Sequence, residues 1–232
     1  MASLIERVRE NIDSAGSQIA EAVIASGRHP EDVSIMAVTK THPVEYIKAA
    51  LDCGVIHIGE NRISEGGRKI RHLGESNAVF HAIGVLHRKE VRQATRDFQW
   101  LDAVHKIEII EEIARRNASP TILLEVNTSG ETAKKGFLPD VELLEDVLGR
   151  VLELKLPLKG FLTVGPLSGD KMKQRRSFAT LREIRDSLES RLAVSLPVLS
   201  MGMSDDFVLA VEEGSTMVRL GRRLFGERTE LV

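Results

Sequence analysis

One pattern recurs eight times along the chain: a short apolar run rich in β-branched residues, followed by a segment whose apolar residues have helical spacing. Short connections between such units require parallel pairing of the strands and right-handed crossovers. Eight parallel strands are the number that closes a (β/α)8 barrel. The sequence therefore predicts an α/β fold, a single TIM-barrel domain over residues 1–232. The predicted strands are residues 34–40, 55–61, 78–84, 100–105, 121–127, 158–165, 197–203 and 216–221.

The predicted barrel has an extra N-terminal helix. Apolar residues recur at helical spacing over residues 3–27, ahead of the first strand. Too few residues follow the eighth strand for a full helix, so we expect the N-terminal helix to cover that gap. The alternative is an open doubly wound sheet, which has less support because no glycine-rich dinucleotide-binding motif follows the first strand.

Charge and cysteine content narrow the classes of function. The formal net charge is -2 and no basic block occurs, which gives no reason to expect nucleic-acid or membrane partners. The single cysteine rules out an intrachain disulfide, and the chain has neither a signal-peptide core nor an apolar run of membrane-spanning length. We therefore expect a cytoplasmic protein that handles small molecules. The seven histidines lack metal-binding spacing, so no metal site is predicted.

The first predicted strand, V-S-I-M-A-V-T-K, ends at Lys40. Burial disfavours the charged form of a lysine and lowers its pKa. An amine at the end of an apolar strand is therefore either paired with an acid or used chemically. We favour the second interpretation. The hypothesis is that Lys40 holds the aldehyde cofactor pyridoxal 5'-phosphate as a Schiff base.

Two turns rich in small residues follow the seventh and eighth strands, where barrels of this kind usually bind phosphate. We predict that the Ser200 hydroxyl and the backbone N–H groups near Met201, Gly221 and Arg222 bind the phosphate of the cofactor. Barrel closure places the first strand beside the eighth. Lys40 would then lie within reach of an aldehyde on the same ring.

Two further residues at strand ends are candidate cofactor contacts. Arg219 is predicted to face the ring nitrogen, because an arginine stays protonated and favours a neutral pyridine. Its alternative role is a structural pairing with Glu60. Asn61 is either a cap of the following helix or a contact with the cofactor. Lys134, in the loop after the fifth strand, is either a second contact or an exposed side chain.

Six motifs spread over nearly the whole chain carry a family resemblance. They are A-V-T-K at 37–40, H-I-G-E-N at 57–61, H-A-I-G at 81–84, V-N-T-S-G-E at 126–131, L-S-M-G-M-S-D-D-F at 199–207 and G-S-T-M-V-R-L-G at 214–221. Together they resemble the YggS/PROSC family, the pyridoxal phosphate homeostasis proteins. The resemblance implies a fold-type III barrel like the N-terminal domain of alanine racemase, with Lys40 as the Schiff-base lysine. It also implies a carrier or buffer of the cofactor without established turnover, for which apo forms of pyridoxal phosphate-dependent enzymes are candidate recipients.

The segment after His81 departs from the family pattern. Residues 84–90 read G-V-L-H-R-K-E where the family usually has a glutamine and an Asn-Lys pair, and Ala82 replaces a bulkier residue. These changes lie outside the lysine and phosphate motifs. We therefore expect them to affect surface contacts or secondary ligands rather than cofactor binding.

An amino-acid racemase is the alternative function. Racemisation needs a second acid–base group on the opposite face of the ring, which alanine racemases supply as a tyrosine from an additional β-domain. The one tyrosine here, Tyr46, lies in a helix expected to pack outside the barrel, and the chain stops directly after the eighth strand. The sequence therefore favours a binding protein that is not an enzyme. Without the domain that builds the racemase dimer, we expect a monomer.

Overall fold

The computed structural model describes residues 2–116 and 118–227, and in these ranges the eight predicted strands form a closed barrel. Consecutive strands pair in parallel, and the last strand pairs with the first, with Met36 opposite Arg219. The TIM-barrel prediction is therefore confirmed. The strands are β1 Ser34–Val38, β2 His57–Glu60, β3 Val79–Ala82, β4 Trp100–Val104, β5 Thr121–Glu125, β6 Leu158–Leu162, β7 Val198–Met203 and β8 Met217–Leu220.

Most strands end before the predicted residue, because the chain leaves the sheet to form the mouth of the barrel. In β1 the sheet ends at Val38, although the Thr39 N–H still donates to the Gly59 carbonyl at 3.1 Å. Lys40 therefore lies in the turn after the strand, where its side chain is half-buried. This position keeps the amine at the opening rather than inside the sheet.

A helix follows every strand in the described ranges, as the apolar spacing predicts. The helix predicted from His87 begins as a 3-10 turn, Arg88–Glu90. The helix predicted to reach Asn117 ends at Ala114, and Asn117 itself lies outside the described residues. None of these helices is both long enough and apolar enough to cross a membrane. The helices are α1 Leu4–Ala25, α2 Val44–Asp52, α3 Ile63–Leu73, α4 Val91–Asp97, α5 Ile107–Ala114, α6 Val141–Glu153, α7 Lys171–Leu192, α8 Phe207–Glu212 and α9 Arg222–Phe225.

The N-terminal helix α1 occupies the gap beside β8, as predicted. It begins with a capping box in which Ser3 and Glu6 exchange hydrogen bonds. Its apolar face packs against α8, α9 and α2. Asn11 Nδ2 donates to the Leu224 carbonyl at 2.9 Å, which ties α1 to α9. Because α9 has only four residues, α1 covers the surface that a full eighth helix would cover.

Polar side chains form a chain across the barrel interior. His57 Nδ1 lies 2.9 Å from His81 Nε2, and His81 Nδ1 lies 3.0 Å from Asp102 Oδ2. His81 is fully buried and stacks on Trp100, with the ring centroids 4.9 Å apart. Burial lowers the pKa of His57, and the neighbouring His81 lowers it further. Because buried polar groups need hydrogen-bond partners, this chain ties β2, β3 and β4 together.

Candidate functional site

A cavity of about 440 Å³ opens at the C-terminal ends of the barrel strands. Its size is that of a small-molecule site, and its position is the one at which barrels of this fold carry their functional groups. Polar and charged residues from the ends of five strands converge on it. They include Lys40, Asn61, Glu125, Ser204, Arg219, Gly221 and Arg222.

Two of the residues predicted to contact a phosphate do not line this cavity. Ser200 and Met201 lie within β7, and both side chains are fully buried below the opening. The small residues S-M-G-M suggest an open turn at the end of the predicted strand 197–203, but Gly202 lies within β7, where it adopts a φ of 93°. The strand continues to Met203, so Met203 and Ser204 reach the cavity instead.

The backbone on both sides of Lys40 is held by charged side chains of α3. Lys69 Nζ donates to the Thr39 carbonyl at 2.7 Å, and Glu65 Oε1 accepts the Thr41 N–H at 2.7 Å. Thr41 has a φ of 68°, in the left-handed region that residues with a side chain rarely adopt. The direction in which Lys40 leaves the backbone is therefore set from both neighbours.

Lys69 balances two carboxylates in this cluster. Its Nζ lies 2.7 Å from Glu60 Oε1 and 2.7 Å from Glu65 Oε1. Burial raises the pKa of Glu60, against the hydrogen bonds from Lys69 and Thr39. Burial acts in the same direction on Glu65, but the hydrogen bonds from Lys69 and Thr41 outweigh it and lower its pKa. Sequence reasoning missed this cluster, although the i,i+4 spacing of Glu65 and Lys69 places both on one face of a helix.

Arg219 is buried at the floor of the cavity, with 4% of its surface exposed. Its Nη1 donates to the Ser200 carbonyl at 2.6 Å and to the Ser200 hydroxyl at 2.8 Å, while Nη2 donates to the Thr163 carbonyl at 2.7 Å. Burial lowers the pKa of Arg219, and the charges of nearby carboxylates oppose this. The alternative pairing of Arg219 with Glu60 does not occur, because Glu60 bonds to Lys69 and Thr39.

Glu125, the last residue of β5, also lines the cavity and is 9% exposed. Its Oε2 has no hydrogen-bond partner among the described residues. Burial raises the pKa of this carboxyl group, and the charge of Arg219 opposes the rise. Sequence reasoning missed Glu125 because it ended the strand at Asn127. Asn127 instead donates to the Glu131 carbonyl at 2.9 Å and shapes the following loop.

The turn after β8 brings Gly221 and Arg222 to the side of the cavity nearest Lys40. A Cβ atom on Gly221 would lie only 3.3 Å from the Val38 carbonyl, which shows how closely β8 approaches β1 here. Arg222 forms an ion pair with Asp205. Ser204 Oγ accepts the Arg223 N–H at 3.2 Å, which joins the turns after β7 and β8.

Asn61 is exposed at the rim, and it does not cap the next helix, whose N-cap is Arg62. Gly84 approaches it closely, since a Cβ atom there would lie 2.0 Å from the Asn61 carbonyl. Gly84 and Val85 line the cavity. Part of the atypical segment 84–90 therefore lines the cavity, so that of the two effects expected from the sequence, on surface contacts or on secondary ligands, the second concerns residues at the site.

Lys134 is half-buried rather than exposed. Its Nζ forms an ion pair with Glu131 at 2.6 Å and donates to the Val164 carbonyl at 3.2 Å. These contacts fasten the loop after β5 to the end of β6, and Lys134 does not line the cavity. Tyr46 lies in α2 outside the barrel, where its ring stacks on His42 at 4.5 Å.

The residues described by the structure contain no cluster of three or more histidine, cysteine or carboxylate side chains that could hold a metal ion. The charged groups that line the cavity are instead the amine of Lys40, two arginines and two carboxyl groups, of which Asp205 is paired with Arg222. Such a set suits an organic anion.

Comparison with known proteins identifies the family. The model of the alanine racemase N-terminal domain matches residues 18–229. The pyridoxal phosphate homeostasis protein of Pseudomonas aeruginosa is 33% identical over 95% of this chain and 96% of its own length. The solved structure of PipY from Synechococcus elongatus with PLP bound has a TM-score of 0.77 and 30% identity, covering 90% of this chain and all of PipY.

Alanine racemase itself is a more distant relative. The enzyme from Clostridium difficile has a TM-score of 0.75 at 17% identity, covering 97% of this chain and 58% of the enzyme. That likeness shows the barrel fold alone. The family model and the 33% identity to a homeostasis protein over nearly its full length show more: this chain belongs to the alanine racemase N-terminal domain family, among the pyridoxal phosphate homeostasis proteins.

Proposed function

We propose that this protein binds pyridoxal 5'-phosphate covalently through Lys40 and serves as a carrier in its homeostasis, without catalytic turnover. One observation carries the proposal: Lys40 lines the same cavity as Gly221 and Arg222, across the seam where β1 pairs with β8. The cofactor's aldehyde and phosphate project from one ring. The site offers an amine for the first and an anion-binding side for the second.

The donor set fits the cofactor at three places. At the ring, Arg219 has donors left over, since its recorded hydrogen bonds use Nη1 twice and Nη2 once and a guanidinium carries five N–H groups. At the phosphate, Arg222 supplies positive charge, and the Ser204 hydroxyl and the Gly221 backbone lie beside it. At the mouth, Asn61 is exposed and free of a capping role.

We assign indirect roles to the two predicted residues that lie below the cavity. The Ser200 hydroxyl accepts an N–H of Arg219 and so orients the guanidinium that faces the ring. Met201 is fully buried and packs in the core. Ser204 then takes the place of Ser200 as the hydroxyl nearest the phosphate.

The bound cofactor supplies an aldehyde that an amine can attack. Lys40, with its Nζ neutral, would hold the cofactor through that aldehyde, and a link of this kind is reversible by water, so the site could both hold and release its ligand. Arg219 is always protonated and leaves the ring nitrogen neutral, which weakens the ring as an electron sink. Such a site holds the cofactor and activates it poorly, as a carrier requires.

The tyrosine that would serve as the second acid–base group of a racemase does not line the cavity. Tyr46 packs between His42 and Phe225, with centroid distances of 4.5 Å and 5.5 Å. The nearly full-length relatives are named as homeostasis proteins, and the likeness to racemases at 17% identity is one of fold. A sustained interconversion of D- and L-alanine by the purified protein would contradict the carrier proposal.

The covalent link is tested by spectroscopy and trapping. Purified protein mixed with pyridoxal 5'-phosphate is expected to develop the visible absorbance of a Schiff base, and borohydride should fix the cofactor to the peptide that contains Lys40. Lys40→Ala should show neither signal. Lys48→Ala, which removes an exposed lysine of α2, should behave as the wild type. A wild-type protein that forms no adduct would refute the proposal.

The carrier role also predicts delivery. We propose that the protein acts as a monomer in the cytoplasm and that apo forms of pyridoxal phosphate-dependent enzymes receive its cofactor. Loaded protein mixed with such an apo enzyme should lose its visible band as the acceptor gains activity. A transfer rate that rises with acceptor concentration indicates direct handover, whereas a constant rate indicates release into solution.

A further inference from the structure

The side chain of Glu125 is unusual among the carboxyl groups of the barrel. It is nine-tenths buried, it lines the cavity, and its Oε2 has no partner among the described residues. A buried polar atom without a hydrogen-bond partner destabilises the folded state. Because the side chain lines the cavity, a ligand bound there can form a hydrogen bond with this carboxyl group.

Glu125 is not a member of a structural ion pair among the described residues. Arg219 is the nearest influence on its charge, but the recorded hydrogen bonds of Arg219 go to Ser200 and Thr163. No ion pair within 4.0 Å joins Glu125 to a basic residue in the part of the chain that the structure describes. Glu60 makes the contrast: it also has an orphaned oxygen, but its other oxygen is bonded to Lys69 and it does not line the cavity.

Burial keeps a proton on Glu125 more readily than on an exposed glutamate, since its pKa is raised. A protonated carboxyl group donates a hydrogen bond, as Arg219 and Lys40 do. All three therefore suit acceptor atoms on one ligand. Pyridoxal phosphate has such acceptors along its ring edge, at the ring nitrogen and the phenolic oxygen.

We propose that Glu125 is a further ligand contact, whose protonated carboxyl group donates a hydrogen bond to an acceptor on the ring edge that faces Arg219. The inference rests on the proposed function and adds the residue that recognises the ring. It also links ligand binding to proton uptake. At pH values where Glu125 has lost its proton in the free protein, the carboxyl group must take up a proton when the ligand binds.

Several other groups that face this carboxyl or the ligand also carry charge, so the test compares variants at one position. Lys40 and Arg219 approach from β1 and β8, Asp102 acts on Arg219 from β4, and Asp206 acts on it from the turn after β7. Glu125→Gln keeps a hydrogen-bond donor of the same size but cannot titrate. Glu125→Leu keeps the volume and removes the donor.

The probe is pyridoxine 5'-phosphate, which carries an alcohol in place of the aldehyde and so binds without forming a bond to Lys40. Isothermal titration is run between pH 5.5 and 8.5 in two buffers of different ionisation enthalpy, which gives affinity and proton uptake together. At the lowest pH, Glu125→Leu should bind about tenfold more weakly than wild type, the effect of one hydrogen bond. Glu125→Gln should bind nearly as tightly as wild type there. The control Glu108→Gln, at an exposed position of α5, should match wild type throughout.

As the pH rises, the affinity of wild type should fall and its proton uptake should exceed that of Glu125→Gln. Identical pH profiles and proton uptake in these two proteins would overturn the inference, as would wild-type affinity in Glu125→Leu. Should Glu125→Leu fail to fold, the comparison with Glu125→Gln decides the matter. Because the probe does not react with Lys40, this experiment is independent of the test of the covalent link. A negative result here would leave the proposed Schiff base on Lys40 unaffected.

Discussion

Glu65 Oε1 accepts the backbone N–H of Thr41 at 2.7 Å, and Thr41 adopts a φ of 68°. A left-handed conformation costs a residue with a side chain roughly 1–2 kcal/mol. The hydrogen bond to a charged acceptor is strong enough to offset that cost. On the other side of Lys40, Lys69 bonds to the Thr39 carbonyl. The helix α3 thus determines how the reactive amine is presented, although none of its own residues carries the proposed chemistry.

Glu65→Ala should slow the formation of the Schiff base, because Thr41 then relaxes and Lys40 changes direction. Adding Thr41→Gly should restore much of the rate, since glycine adopts a positive φ without a Cβ penalty. The rate is measured from the visible absorbance after mixing with the cofactor. Glu45→Ala, an exposed position of α2, is the control. A wild-type rate in Glu65→Ala would show that the Thr41 bond does not position the amine.

Lys69→Met should reduce the free energy of unfolding by about 3–5 kcal/mol, because it leaves the buried Glu60 carboxylate and the half-buried Glu65 carboxylate uncompensated. The loss should be smaller at pH 5 than at pH 7.5. In the folded wild type burial acts to raise the pKa of both Glu60 and Glu65, and Lys69 acts to lower it; removal of Lys69 raises both, so the uncompensated charges cost most at pH 7.5 and are relieved by protonation toward pH 5. Urea unfolding at both pH values measures the difference, and Arg68→Met, exposed on the same helix, is the control. An equal loss at the two pH values would contradict this reading of the cluster.

Arg219→Lys should lower the free energy of unfolding by about 3 kcal/mol, because one ammonium group cannot serve both the Ser200 and Thr163 carbonyls. Ser200→Ala removes only the hydroxyl acceptor and should cost about 1 kcal/mol. Denaturant unfolding gives both values. If Ser200→Ala left stability intact and abolished cofactor binding, Ser200 would be a direct ligand contact, as the sequence analysis predicted.

Gly84→Ala should destabilise the protein and weaken ligand binding, since the new Cβ would lie 2.0 Å from the Asn61 carbonyl and force the rim of the cavity apart. Gly149→Ala makes the same change in α6, where no atom lies within 4 Å of the new Cβ. It should stabilise the protein by about 0.5–1 kcal/mol through helix propensity. Thermal unfolding and titration with the cofactor check both variants. A neutral effect of Gly84→Ala would show that the rim is free to move.

His57 should make the protein lose stability as the pH falls below about 6.5, the ordinary pKa of histidine. Burial lowers the pKa of His57 in the folded state, so the unfolded state binds its proton first and the stability contributed by neutral His57 is lost toward acid. His57→Gln can keep a hydrogen bond to His81 and should flatten the pH dependence between pH 5 and 6.5. The free energy of unfolding is measured at intervals across that range. An unchanged slope in the variant would assign the acid sensitivity to other groups.

The barrel could be predicted from the sequence because its signal is local. Each strand and helix has its own apolar period, and closure follows from counting eight units. The position of α1 followed from the short remainder after β8. Lys40, Arg219 and Gly221 could be predicted to lie at the cavity because each is at or next to the C-terminal end of a strand, where functional groups collect in this fold.

The rest of the site depends on contacts that no local pattern contains. Ser200 was predicted to contact the phosphate because the small residues around it suggest accessible backbone at the end of the seventh strand, whereas in the structure β7 continues to Met203 and the Ser200 side chain is fully buried. Glu125 was missed because the fifth strand was predicted to end at residue 127, whereas β5 ends at Glu125. The link from Lys69 to the Thr39 carbonyl spans thirty residues, and only the packed barrel brings the two together.

The pairing of β1 with β8 has a consequence for the order in which the protein is made. The ribosome releases Lys40 about 180 residues before the proposed anion-binding turn at Gly221 and Arg222. A nascent chain that stops short of β8 therefore has no complete site, and capture of a reactive aldehyde must wait until β8 and the turn after it have emerged.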